Sequence, residues 1–260
     1  MRALSRPGPH PVLRGDLALA GLPGVVMTPA EGWGLPAVAF GHGWMQPTSR
    51  YLGTLKHLAS WGIVAAAPAT QRGPVPSHLQ LAADLRTTLD ICAHVRLGPG
   101  EISVQPERLA LAGHGMGAGA AVLAAAQDAR VKAVVAFAPA STSPSAVTAA
   151  SSCTMPALFM AAPADDTVPA QGHAESLART WGGAAVLRTV QKSSDLGLAE
   201  GWHWSNQLFD GGPERKTQRV VRALLTAFLL RHLTDDRSYE QLASAESDIP
   251  HTELVDLLPD

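Results

Sequence analysis

The chain of 260 residues is poor in cysteine, in aromatic side chains and in positive charge. Its two cysteines, Cys92 and Cys153, exclude a disulfide framework and a zinc site built on thiolates. Lys and Arg total 20 against 22 Asp and Glu, a formal net charge of −2, which argues against nucleic-acid capture by a basic surface. The ten histidines show no metal-ligand spacing, so no metal and no other cofactor is expected. The uncharged stretch Leu109–Gln127 is glycine-rich and reads as a buried strand plus helix, so no membrane insertion is expected. The first residues carry no apolar leader segment, which predicts a cytoplasmic protein. Aromatic residues are 5% of the chain, yet hydrophobic residues are 46% and charged ones only 16%. A chain of this length and composition folds around a core, here one made of small aliphatic side chains.

What is present is an alternation of two periodicities. Val12–Ala20 and Gly24–Thr28 read as an opening hairpin. Short apolar runs then predict strands at Ala37–Phe40, Ile63–Ala67, Arg108–Ala112, Val131–Ala138, Ala157–Ala162 and Ala184–Val190. Between them, helical spacing predicts helices at Tyr51–Trp61, Leu79–Val95, Met116–Ala129 and Ala170–Trp181, with a last one at Lys216–Leu233. Leu81, Leu85, Leu89 and Cys92 form one apolar stripe of the second helix. Strand and helix alternating over residues 36–233 predict a mostly parallel sheet covered by helices on both faces. Residues 1–242 form a single domain in this reading, and 243–260, acidic and free of Lys and Arg after Ala245, form a solvated tail.

In parallel sheets ligands gather at the carboxyl ends of the strands. The third of these predicted strands runs into Gly113-His114-Gly115-Met116-Gly117 and then a helix. Strand, glycine turn and helix is the setting of a nucleophile elbow, Gly-x-Ser-x-Gly, but the central residue is Gly115. After the strand Ala157–Ala162 come Asp165 and Asp166, either of which suits a triad acid, with Asp165 preferred. After Ala184–Val190 a long loop holds Gly201-Trp202-His203-Trp204, which places His203 as the base. Oxyanion donors are expected from the backbone N–H groups of Met116, next to the elbow, and Trp44, in the loop Gly41-His42-Gly43-Trp44. His42, Gly43, His114 and Trp202 complete the expected pocket, and the stretches Ala140–Thr154 and Gln191–Glu200 its rim. Cys92 reads as inert core, and Cys153 as a residue of an exposed Ser/Thr-rich loop.

At these residues the chain resembles the α/β-hydrolase superfamily, and within it the cutinase-like polyester (PET) hydrolases and the dienelactone-hydrolase-type esterases. The similarity spans residues 36–242. It rests on Gly43 to Ile63, on the elbow Arg108–Gly117, on Asp165 to Pro169 with His173 following, on Gly201–Trp204 and on Phe228–Leu242. The resemblance implies an eight-stranded α/β-hydrolase sheet, hydrolysis of carboxylic esters, Asp165 as acid, His203 as base, and Trp44 and Met116 as oxyanion donors. The chain departs from the family pattern in three places: glycine replaces the serine, no secretion leader is seen, and the C-terminal cysteine pair is absent.

Glycine carries no nucleophile, so no acyl-enzyme forms at residue 115. The expected function is that of an inactive or severely impaired hydrolase homologue binding a small ester or acid ligand, or a partner. The alternative is an ester hydrolase in which His203 activates a water in the space left by the serine. A third reading, a dinucleotide fingerprint at Gly113, Gly115 and Ala118, lacks the acid needed at the end of the next strand.

Overall fold

The computed structural model describes residues 1–163, 170–207, 212–234, 236–244 and 248–257, with backbone alone at 170–172, 205 and 207. Its strands are β1 (Val12–Asp16), β2 (Gly24–Pro29), β3 (Gly32–Gly41), β4 (Val64–Pro68), β5 (Ile102–His114), β6 (Val131–Phe137), β7 (Ala157–Ala161), β8 (Ala185–Val190) and β9 (Thr252–Leu254). Its helices are α1 (Leu52–Ser60), α2 (His78–His94), α3 (Met116–Ala125), α4 (Ala146–Ala150), α5 (Ala170–Thr180), α6 (Arg215–Leu233) and α7 (Glu240–Ala243). All strands join one sheet in the order β1-β2-β4-β3-β5-β6-β7-β8-β9. The run from β4 to β8 is parallel, while β1, β2 and β9 pair antiparallel at the two ends. This is an α/β-hydrolase fold.

The doubly covered sheet explains why its strands are apolar at every position rather than at every second one. Along β5, Leu109 and Leu111 join the core under α2 and α3, and Ala110 and Ala112 join the core under α1 and α6. Ala37 and Ala39 of β3 alternate in the same way with Val38 and Phe40. The expected α2 stripe of Leu81, Leu85, Leu89 and Cys92 is wholly buried. Helix α3 is buried along its whole length, and its Gly, Ala and Val residues let it lie close to the sheet centre.

Several elements differ from the sequence reading. The sheet has nine strands among the described residues, not eight, because Thr252–Leu254, within the stretch read as a solvated tail, pairs with β8. Without it β8 would present an unpaired edge. The buried Arg188 of β8 further ties this region down by donating to the Ser244 carbonyl (3.0 Å). Leu17–Ala20 is a short 3-10 helix rather than strand, capped by Asp16. Helix α4, unforeseen in the Ser/Thr-rich stretch, starts at Ser145, whose hydroxyl accepts the Thr148 N–H (3.3 Å). Cys153 follows α4 and is buried, not exposed; its thiol faces the carbonyls of Val122 and Ala149, and burial pushes its pKa up to about 11.

Candidate functional site

The elbow forms where β5 meets α3. Gly115 adopts φ 55° and ψ −121°, a region that glycine enters freely and other residues enter at a cost of about 1–3 kcal/mol. The surroundings over-determine it. Its N–H donates to the Phe137 carbonyl (3.0 Å), and its own carbonyl accepts from Ala118 (3.1 Å) and Ala140 (3.0 Å). The flanking glycines serve a different need. A Cβ on Gly113 would lie 2.4 Å from Gly117 backbone, and one on Gly117 would lie 2.2 Å from Gly41 backbone. They allow α3 to touch β3 and β5. Among the described residues, a Cβ on Gly115 would meet only the Gly43 Cα, at 3.7 Å. Position 115 therefore has room for a side chain and carries none.

The loop after β3 faces this position. His42 is buried between two backbone carbonyls, Thr70 at 2.7 Å from Nε2 and Gly43 at 2.9 Å from Nδ1. Burial lowers its pKa, which favours the neutral ring. The Gly43 N–H donates to the Tyr51 hydroxyl (3.0 Å). That hydroxyl then donates its own proton to His114 Nδ1 (2.7 Å), leaving Nε2–H to donate to the Asp195 carbonyl (2.8 Å). Tyr51 is fully buried, and burial raises its pKa, so it stays a donor. Both ring nitrogens of His114 are therefore engaged, Nδ1 by the Tyr51 hydroxyl and Nε2 by the Asp195 carbonyl, with the Asp195 Oδ1 a further 3.3 Å contact of Nε2. His114 thus supports the elbow from behind. Gly43 is needed because a Cβ there would lie 2.9 Å from His114 Nδ1 and 3.0 Å from the Tyr51 hydroxyl.

Trp44 is the next residue of this loop. Its ring is 40% exposed and donates from Nε1 to the Pro74 carbonyl (3.1 Å). Met116 begins α3, and its N–H belongs to the helix-terminal donors that the helical ladder leaves open. Asp165 and Asp166 lie outside the described residues.

His203 sits on the loop after β8, partly exposed, with its N–H on Asn206 Oδ1 (3.3 Å) and its ring 5.4 Å from that of Trp204. Partial desolvation and the Arg50 charge lower its pKa, which favours the neutral, proton-accepting form. Trp202 is 74% exposed and Trp204 46%, so with Trp44 three tryptophans are presented on the two loops.

The base of the histidine loop is held by residues that sequence reasoning missed. Arg50 lies in a short 3-10 helix, Thr48–Tyr51, and is buried. Its Nε donates to the Glu200 carbonyl (3.0 Å), its Nη2 to the Gly201 carbonyl (3.0 Å) and its Nη1 to Gln46 Oε1 (2.6 Å). The Glu200 carboxylate accepts the Gly53 N–H (2.8 Å) and Thr54 N–H (2.9 Å) at the start of α1, and pairs with Arg222 of α6 (2.8 Å). An anion at a helix start is electrostatically favoured. The residues 191–200, expected at the rim, are instead largely buried support: Ser193, Leu196, Leu198 and Ala199 are all inside. No short-range pattern announces the bonds of Arg50 and α1 to Glu200 and Gly201, because those partners are separated by 146 to 151 residues.

No helix among the described residues is long and apolar enough to cross a membrane. No curated protein matches the chain. The family model described as PETase, PET hydrolase-like, matches residues 24–256. That match reaches beyond the resemblance seen in the sequence at both ends, taking in β2 and β9. With nearly the whole sheet inside the match and the elbow at its centre, the chain belongs to the PET hydrolase-like family, whose scaffold is that of an ester hydrolase.

Proposed function

We propose that the protein is a member of this family that has given up acyl-enzyme chemistry and retains the pocket as a binding site for a small ester or carboxylic acid. The observation that carries the reading is Gly115: it stands in the elbow conformation, with open space where a side chain would project, and offers no nucleophile. Asp165, His203, Trp44 and Met116 take the roles of acid, base and oxyanion donors in this reading. The exposed rings of Trp44, Trp202 and Trp204 favour a ligand with apolar surface. Both cysteines are buried thiols, which agrees with a cytoplasmic setting. The test is Gly115→Ser assayed on short-chain nitrophenyl esters. The variant is expected to gain on the order of 10³-fold or more over the wild type, the size of effect seen when a triad member is restored. A wild type as fast as the variant would overturn the proposal.

The space above Gly115 favours a second reading, in which a water occupies it and His203 removes its proton as it attacks the ester carbonyl. That reading predicts slow wild-type turnover that His203→Ala abolishes and Gly115→Ala reduces by filling the space.

A further inference from the structure

The first turns of α6 carry the wrong charge for a helix start. Acidic residues are favoured there and cationic ones disfavoured, because the N-terminal end of a helix is electrically positive. Helix α6 has no acidic residue in its first turn and begins Arg215-Lys216. Arg219 stands three positions after Lys216, on the same helix face, where like charges repel. The carboxylate at this helix end is that of the N-cap residue Glu214, whose Oε1 accepts the Ser194 N–H (3.0 Å) and hydroxyl (2.6 Å) and whose Oε2 accepts the Thr217 hydroxyl; it does not line the cavity described next.

Lys216 and Arg219 are exposed, as are Arg2, Pro250 and His251, and they border a concavity open to solvent. With Val220 these residues line a volume of about 540 Å³. No acidic side chain lines it among the described residues, and no ion pair engages Arg2, Lys216 or Arg219 there. Three permanent cations and a histidine thus converge on one concavity in a chain whose formal net charge is −2. Cations gathered on one concavity, with no acidic side chain in its lining among the described residues, favour an anion from outside the chain. The size suits a small molecule, and the two guanidinium groups offer the planar donor forks that oxyanions accept. None of the cavity residues belongs to the elbow, the oxyanion loop or the histidine loop.

We infer that this cavity is a second binding site, for a small multivalent oxyanion. Phosphate groups and clustered carboxylates share the required chemistry: several negative oxygens within reach of Arg2, Lys216 and Arg219. Val220 and Pro250 add apolar surface to the lining for a short organic skeleton to contact. The site stands independently of whether residue 115 supports turnover.

Thermal melting of the full chain at pH 7.5 and fixed ionic strength tests the inference, with pyrophosphate and citrate as probes and sodium chloride as reference. At least one probe is expected to raise the melting temperature saturably. The tighter of the two identifies the phosphate or the carboxylate class. Lys216→Glu is expected to abolish that response and also to raise the melting temperature of the unliganded protein, because it removes the repulsion at the helix start. Arg219→Ala weakens the response at least tenfold in apparent Kd. The inference is overturned if neither probe gives a saturable rise, or if Lys216→Glu and Arg219→Ala respond as the wild type does.

Discussion

The elbow and the histidine loop stand at the same edge of the sheet, but they are held in different ways. At the elbow, contacts are made by backbone: Gly113 and Gly117 bring α3 against β5 and β3, and Gly115 is fixed by hydrogen bonds at both its N–H and its carbonyl. At the histidine loop, contacts are made by charge: Arg50, Glu200 and Arg222 anchor the base, and beyond Gly201 the loop exposes Trp202 and Trp204 with His203 between them. The elbow is therefore a rigid frame that tolerates no added atoms except at position 115. The histidine loop is a segment whose base is tied to α1 and α6 and whose tryptophans at the tip are exposed. Of the three elbow glycines, 115 is the one where an added Cβ meets no close backbone contact among the described residues.

The largest effect should come from adding a methyl group at the wrong glycine. Gly117→Ala drives a Cβ to 2.2 Å from Gly41 backbone and is expected to cost about 3 kcal/mol or more, the upper range of overpacking. Gly115→Ala meets no such contact and should cost only the backbone strain, about 1–3 kcal/mol. Denaturant melts of the two variants measure the gap, and equal losses would break the distinction between frame and open position.

Next comes the base of the histidine loop. Glu200→Gln leaves Arg222 without its carboxylate where the two side chains are only 23% and 20% exposed. Breaking a pair so enclosed is expected to cost about 3 kcal/mol, the lower end for buried pairs. A loss below about 0.5 kcal/mol, as at an exposed pair, would show that charge does not anchor the loop.

The same anchor predicts an acid limb. His57 of α1 is buried beside Arg222, and burial and that charge lower its pKa from 6.5 to about 4. Below pH 6.5 the unfolded chain takes up a proton that the folded chain refuses until about pH 4, so stability falls as pH falls through that window. The loss approaches about 3 kcal/mol at the acid end. His57→Leu should flatten this part of the stability profile, and an unchanged profile would assign the acid limb to other groups.

The smallest effect is expected at the loop tip. His203→Ala should change stability by less than about 0.5 kcal/mol, as surface substitutions do. A larger loss would mean that the tip, and not only the base, bears structure.

The sequence displayed the frame more fully than the anchor. Alternating strands and helices and the glycines of the elbow are local signals, and each reflects a local constraint: two covered faces for the strands, close approach for Gly113 and Gly117. Strand β5 proved longer than its apolar run because Ile102–Glu107 pairs with β3 across Pro106 and a register shift, which masks periodicity. Helix α4 and strand β9 are too short, at five and three residues, to show a period. Of the candidate site, Gly43 lies against both Gly115 and His114. The Tyr51–His114–Asp195 chain was hidden because Tyr51 read as one apolar position of a helix, and Arg50–Glu200 because nothing local links residues so distant. Asp165, the residue read from the sequence as the acid, lies outside the described residues.

The central claim is that residue 115 occupies a working nucleophile position from which only the hydroxyl is missing. Intact-mass spectrometry after treatment with a diethyl phosphoryl ester tests it most directly. The wild type should remain unmodified, and Gly115→Ser should gain one diethylphosphoryl group that maps to residue 115. A folded Gly115→Ser protein that stays unlabelled, or a wild type labelled at the same rate, would contradict the account.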